Sequence, residues 1–249
     1  MGSLNTFGGS PPKQEWLRLF FDEPREFLSR HELSRCQMYS FCRFLRDANL
    51  MKKNTPTHFA ELVKNFGWDK EAALGLMFIN LVARNIQIRW FLENLPLETL
   101  MLRTEMETNL LSAGVTRDSA KAILRSFGRL TGTAFGTVLK FGKVTYAGRR
   151  LVTLTRTKAK VSDGRVILYA LYKLAENSEA YQFTLSELLA LTLSPAKIFG
   201  LSVVELEQFL NGLSANYPEY LDATFTHDLE KISLSQGKSA TDVLRLFEV

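Results

Sequence analysis

The sequence predicts a mainly α chain with small β-hairpins, a helical bundle containing winged-helix-like (helix-turn-helix) units. Three observations predict it. Apolar residues recur at helical spacing through most of the first and last thirds of the chain. Residues 131–161, rich in Thr, Val, Leu and Phe and broken by turn residues, read as one hairpin, and 220–234 look like another. Ser or Thr stands at several helix starts, where its hydroxyl can accept an otherwise unpaired backbone N–H.

Residues 1–13 (MGSLNTFGGSPPK) have neither a charged start nor an apolar stretch, and read as a flexible leader or tag. Residues 14–115 read as an N-terminal helical domain. An apolar run begins at Trp16, Pro24 sits near the next helix start, and 36–50 has apolar residues at helical spacing. Residues 57–66 then form a short helix, Gly67 a turn, and 68–83 a longer helix. Three helices in that order fit either a helix-turn-helix core or a plain bundle. Residues 68–83 carry only one cation, Lys70, which suits nucleic acid poorly.

Residues 116–165 form a basic segment, read as one helix and a hairpin. Between Arg117 and Arg165 stand twelve Lys or Arg against two acids, Asp118 and Asp163. The rest of the chain has nineteen cations against twenty-four acids, although the net charge of the whole is +5. A field so concentrated attracts polyanions and is not required by a fold. Arg117, Lys121, Arg125 and Arg129 are four apart, so at about 100° per residue they spread over one helix face roughly 120° wide. Ile123, Leu124, Phe127 and Leu130 fall opposite and face a core. Thr116 is the expected cap, with Asp118 in the first turn where the helix dipole favours an acid.

The hairpin is expected from 131–146 and 150–161 around the turn Ala147-Gly148-Arg149. Val152, Leu154, Arg156, Lys158 and Lys160 share one parity, and Thr153, Thr155 and Thr157 the other. That gives a basic distal end, extended by Lys140 and Lys143. The candidate nucleic-acid-binding residues are therefore Arg117, Lys121, Arg125, Arg129, Lys140, Lys143, Arg149, Arg150, Arg156, Lys158 and Lys160. The hairpin threonines could add neutral phosphate contacts. Phe135, Phe141 and Tyr146 lie in the same segment, as hairpin core or as stacking platforms for single-stranded bases. Gly128, Gly132, Gly136 and Gly142 make no phosphate-binding loop, because no Gly-Lys-Ser/Thr follows them.

Residues 166–249 repeat the plan of helix, Thr-capped short helix and long helix. The helices are 166–176, one capped by Thr184, and 202–214 with a capping box of Ser202 and Glu205. Residues 220–226 and 231–234, joined around His227-Asp228, look like the hairpin of a winged helix. The third helix has Glu205 and Glu207 and no cation, and 166–249 holds five Lys or Arg against eleven acids. A helix meant to approach phosphates would not be acidic. This domain is expected to dock a protein partner.

Catalysis finds little support. Asp22 with Glu23, and Asp228 with Glu230, stand where acids serve caps, and His227 beside Asp228 reads as a solvated turn residue. Cys36 and Cys42 lie six apart on one predicted helix and read as reduced, buried thiols. With His31, His58 and His227 scattered, no metal site is expected. No cofactor is expected either. No apolar run approaches the roughly 20 residues needed to span a bilayer, so a cytoplasmic chain without membrane contact is expected.

The stretches TAFGTVLKFGKV, SDGRVILYALYKLAE, QFTLSELL, SPAKIFGL, LSANYP, ATFTHDLEKISL and KSATDVLRLFE, with FFDEPREFLSRHELSR and IQIRWFLENLP earlier, resemble the C-terminal region of large bacterial proteins of the phosphoadenosine phosphosulfate reductase family. The resemblance implies a domain that accompanies a sulfur-handling, nucleotide-binding enzyme, a class also found in DNA sulfur-modification and defence systems. The reductase itself needs a Ser-Gly-Gly-Lys-Asp-type phosphate loop and usually a reactive cysteine. Neither occurs here, so no catalytic residue is carried over. The sequence thus points to a non-enzymatic DNA-binding accessory protein of a sulfur-linked modification or defence complex, gripping the phosphate backbone. The alternative is a scaffold module for such an enzyme. An acidic protein partner or a solvated surface would also fit the basic patch.

Overall fold

The computed structural model describes residues 4–8, 10–24, 26–27, 32–226 and 229–248. It divides into two compact units, 1–160 and 161–249. Thirteen helices and eight short strands occur among the described residues. The architecture is mixed, helix-rich with small antiparallel sheets. The small hairpins expected beside the helices are present, and each belongs to a three-stranded antiparallel sheet, so the architecture is more than a helical bundle.

The first unit contains α1 (Gln14–Asp22), α2 (Arg35–Asp47), β1 (Met51–Lys52), β2 (Thr55–Pro56), α3 (His58–Phe66), α4 (Glu71–Arg84), α5 (Ile86–Asn94), β3 (Leu100–Leu102), α6 (Arg103–Ser112), α7 (Arg117–Leu130), α8 (Ala134–Thr137), β4 (Gly142–Ala147) and β5 (Arg150–Arg156). At its centre α4 is buried at every position from Ala72 to Val82. That explains its all-round apolar sequence: it is a core helix rather than a surface amphipath.

An aromatic chain ties the other elements to α4. Phe78 lies 5.2 Å from Phe141, Phe141 5.4 Å from Phe127, and Phe127 4.2 Å from Phe91, centroid to centroid. Phe135 and Phe141 are therefore core residues. Residues 116–160 share this core with 14–115 and belong to the same compact unit.

The stretch read as a flexible leader does not trail from the fold where it is described. Thr6 and Phe7 are buried. The Thr6 amide donates to Gln87 Oε1 at 3.0 Å, and its hydroxyl to Asn85 Oδ1 at 3.0 Å. Ser40 Oγ donates to the Phe7 carbonyl at 2.8 Å. Buried Asn85 and Gln87 need partners, and the N-terminal stretch supplies them.

Residues 131–141, expected as strand, instead exit α7 through the one-turn α8. Thr133 caps it, with its hydroxyl accepting the Phe135 N–H at 3.4 Å. The sheet order is β3-β5-β4, so β5 is central and its Leu151, Thr153, Leu154 and Thr155 are all buried. The expected division of β5 into a threonine face and an open basic face does not survive this. Cys36 is exposed and Cys42 half-buried, not the pair of buried thiols expected.

The second unit contains α9 (Gly164–Ser178), β6 (Gln182–Phe183), α10 (Leu185–Ala190), α11 (Pro195–Phe199), α12 (Val203–Asn216), β7 (Leu221–Thr226), β8 (Leu229–Leu234) and α13 (Ala240–Arg245). Its strands are ordered β6-β8-β7. Thr184 and Ser202 cap α10 and α12 in capping boxes with Glu187 and Glu205. Buried Tyr172 on α9 donates toward the carbonyls of Tyr220 and Ser235, at 2.8 and 3.2 Å, pinning the sheet ends to the helix. Burial pushes its phenol up to about 12. His227 and Asp228 lie outside the described residues, as does His31. No helix among the described residues is long and apolar enough to cross a membrane.

Candidate nucleic-acid interface

Helix α7 forms as its sequence dictates. The Thr116 hydroxyl accepts the Ser119 N–H at 3.4 Å, and Asp118 lies in the first turn. Ala120, Ile123, Leu124, Phe127 and Leu130 are buried, Arg117, Arg125 and Arg129 are exposed, and Lys121 is half-buried. The four-residue spacing therefore delivers its cations to the outer face.

The β4–β5 hairpin brings further cations to that helix. Its loop is Gly148-Arg149, between the paired residues Ala147 and Arg150. The positive φ of +59° falls on Gly148 alone, as a type II′ turn requires. Just below the tip, Thr145 faces Thr153 but Tyr146 faces Leu151, which leaves Val152 as the extra residue of a β-bulge. A bulge increases twist and re-aims the side chains beyond it.

The tip packs closely on α7. A Cβ at Gly128 would stand 2.6 Å from Tyr146 Oη and 2.8 Å from Leu151 Cδ1. Only glycine admits the hairpin at this distance.

The result is a cleft of about 140 Å³ lined by five cations, Arg103, Lys121, Arg125, Arg149 and Arg150. Leu124, Leu151 and the 51% exposed ring of Tyr146 complete it. Arg103 Nη2 lies 3.8 Å from Glu107 Oε2, and Lys121 Nζ 3.7 Å from the exposed Asp118. Such surface pairs hold weakly, by about 0.2–1 kcal/mol. Arg125, Arg149 and Arg150 have no ion-pair partner among the described residues. Three guanidinium groups, each able to offer a fork of N–H donors to a phosphate, thus share one small concavity.

The other expected residues divide. Arg117 and Arg129 mark the two ends of α7, about 18 Å apart at 1.5 Å per residue, and do not line the cleft. Lys140, Lys143, Lys158 and Lys160 are exposed at the opposite end of the hairpin. Lys143 is five residues before Gly148, so the two ends are separated by roughly 17 Å of strand. Lys160 Nζ is paired with Glu71 Oε2 at 3.2 Å.

Arg156 is the clear correction. It is 7% exposed, and its Nη1 donates to the Leu92 carbonyl at 2.8 Å. Phe78, Phe91, Phe127 and Phe141 surround the same spot. Burial alone lowers its guanidinium to about 10. Arg156 closes the core rather than facing a ligand. Thr153 and Thr155 are likewise unavailable, and Thr153 Oγ1 is 2.6 Å from Thr145 Oγ1 across the strands.

Arg103 went unrecognised in the sequence. Its neighbour Leu102 pairs with Thr153, a contact across some fifty residues that brings the start of α6 beside the hairpin. Locally it looks like half of a solvated Arg–Glu pair. Asp22 and Glu23 stand at the end of α1. No group of three or more His, Cys, Asp or Glu among the described residues is placed to hold a metal ion.

No protein family model matches the chain, and no curated protein matches it in sequence. Two solved structures share its fold. A crystal structure of SspB superposes with a TM-score of 0.74 at 13% identity, covering 100% of this chain and 88% of SspB. Magnesium ion-bound SspB gives 0.73 at 12% identity, with 100% and 87% covered. The likeness establishes a shared fold over the whole chain.

Proposed function

We propose that this protein binds DNA through the phosphate backbone, using the cleft between α7 and the β4–β5 hairpin. The observation that carries the reading is the convergence of Arg103, Lys121, Arg125, Arg149 and Arg150 from three elements on one cleft. Arg125, Arg149 and Arg150 have no ion-pair partner there among the described residues. Lys140, Lys143 and Lys158 extend the basic surface along the hairpin and favour a long polyanion over a single phosphate.

The role is that of a non-enzymatic accessory in a sulfur-linked DNA-modification or defence complex. The resemblance to the C-terminal region of phosphoadenosine phosphosulfate reductase family proteins supports it. The succession α9, β6, α10, α11, α12 and the β7–β8 hairpin in the second unit supports a winged-helix-like reading, with α11 as an additional short helix. Its α12 holds Glu205 and Glu207 but no cation, and exposes Val203 and Val204. That surface suits a protein partner, such as the complex's enzyme, better than nucleic acid.

The test is fluorescence anisotropy on labelled duplex across a salt series. Log affinity should fall linearly with log salt, with a slope of about 0.9 per phosphate neutralised. Reversing Arg125, Arg149 and Arg150 to Glu should abolish binding at moderate salt and leave the melting temperature within a few degrees. Undiminished binding by the triple variant would sink the assignment to this cleft.

A further inference from the structure

We infer that the cleft beside Tyr146 receives an unpaired nucleotide, its base stacked on the Tyr146 ring and its phosphates held by Arg125, Arg149 and Arg150. The inference rests on the DNA-binding reading and specifies the part of the ligand that enters the cleft.

Aromatic rings in this protein are almost all spent on packing. Of its 18 Phe, 7 Tyr and 3 Trp, the strongly exposed ones among the described residues are Tyr39 and Tyr146. Tyr146 lines the cleft that also holds Arg125, Arg149 and Arg150.

Nor is it a loose side chain. The bulge at Val152 sets its direction and the glycine backbone at Gly128 receives its phenol end. A ring already held in place loses little freedom when a base stacks on it. Leu124 and Leu151 add an apolar wall, which a bare phosphate would not use but a base would.

A paired base inside a duplex has both faces covered by its neighbours. An unpaired one, in an overhang, a gap or a flipped position, can turn its whole face to a tyrosine, which among paired bases only the outermost pair of a blunt end could approach. Phosphates flanking that base then fall within reach of the hairpin-tip arginines, and paired DNA beyond can follow the exposed cations of the hairpin. An acidic peptide would neutralise the same arginines but would have no use for the ring.

The full-length chain should be measured by anisotropy on a blunt duplex, on the same duplex with a single-stranded overhang carrying 2-aminopurine, and on poly-glutamate. The overhang should bind roughly fivefold or more tighter than the blunt form, the low end of what base stacking on an aromatic supplies. The 2-aminopurine emission should be quenched on binding. Tyr146→Ala should erase the preference, bringing overhang affinity down to that of the blunt duplex measured with the same variant, and Tyr146→Phe should retain it. Equal affinity for the two duplexes, an unquenched probe, or equal losses on both from Tyr146→Ala would overturn the inference and leave duplex binding standing. Failure to bind either duplex, whatever poly-glutamate does, would overturn the DNA reading together with it. If Tyr146→Ala proves unfolded in a thermal melt, the wild-type quenching and preference still decide the matter.

Discussion

Tyr146 Oη rests where Gly128 has no side chain, and a Cβ at that position would come within 2.6 Å of it. The glycine in α7 and the tyrosine in β4 define each other's place. Gly128→Ala should push the ring and Leu151 away from the helix. Both are side-chain tips that can yield, so the cost should be near 1 kcal/mol, the lower end for overpacking. A melting shift of a few degrees, combined with a clearly weakened affinity for overhang DNA, is the expected pattern. Unchanged affinity would show that the contact does not shape the cleft.

Arg156 and Arg150 stand on one strand and should behave oppositely. Arg156→Met leaves the Leu92 carbonyl without the guanidinium donor and should cost about 1–3 kcal/mol. Urea denaturation would measure it, and the salt slope of DNA binding should stay the same. Arg150→Met should leave stability within about 0.5 kcal/mol and lower the slope by about 0.9. If Arg156→Met changed the slope instead, its assignment to the core would be wrong.

Tyr172 gives the second unit a sensitivity to alkali. Its folded phenol is raised to about 12 from the usual 10. The unfolded chain therefore releases the proton first. This contribution to stability is complete below pH 10 and declines as pH rises from about 10 to about 12. Tyr172→Phe should lower stability at neutral pH by about 1 kcal/mol through its lost hydrogen bonds. It should also shrink the loss between pH 9 and pH 11 in chemical unfolding of the full chain. An identical decline in both proteins would exclude Tyr172 as a source.

Phe7 tests whether the N-terminal stretch is part of the fold. It is 1% exposed and lies 6.4 Å from Phe44, centroid to centroid. Phe7→Ala should destabilise by about 3–5 kcal/mol, as for other buried aromatics. A melting temperature within a degree or two of wild type would mean that the stretch is dispensable.

The pattern of success follows the range of each interaction. Helix caps at Thr116, Thr184 and Ser202 depend on residues three apart, and the cationic face of α7 on residues four apart. Both are written locally. The same holds for the turn at Gly148. What could not be read locally was the company kept by β5. Its pairing with β3 joins residues about fifty apart, buries both faces of the strand, and so reverses the expected exposure of Thr153, Thr155 and Arg156. Arg103 reaches the cleft by the same pairing. The leader-like composition of 1–13 hid Phe7 because Gly and Pro around it outweighed one apolar residue, while Asn85 and Gln87, the partners of the adjoining Thr6, stand some eighty positions away.

Strand β5 has its two ends in different surroundings, Arg156 clamped among phenylalanines and Arg150 free in water at the tip. The strand is nevertheless held at both ends, by Arg156 on the Leu92 carbonyl and by Leu151 and Tyr146 against Gly128. The spacing of the cations around Tyr146 is therefore set by backbone pairing and core packing, not by the cations themselves.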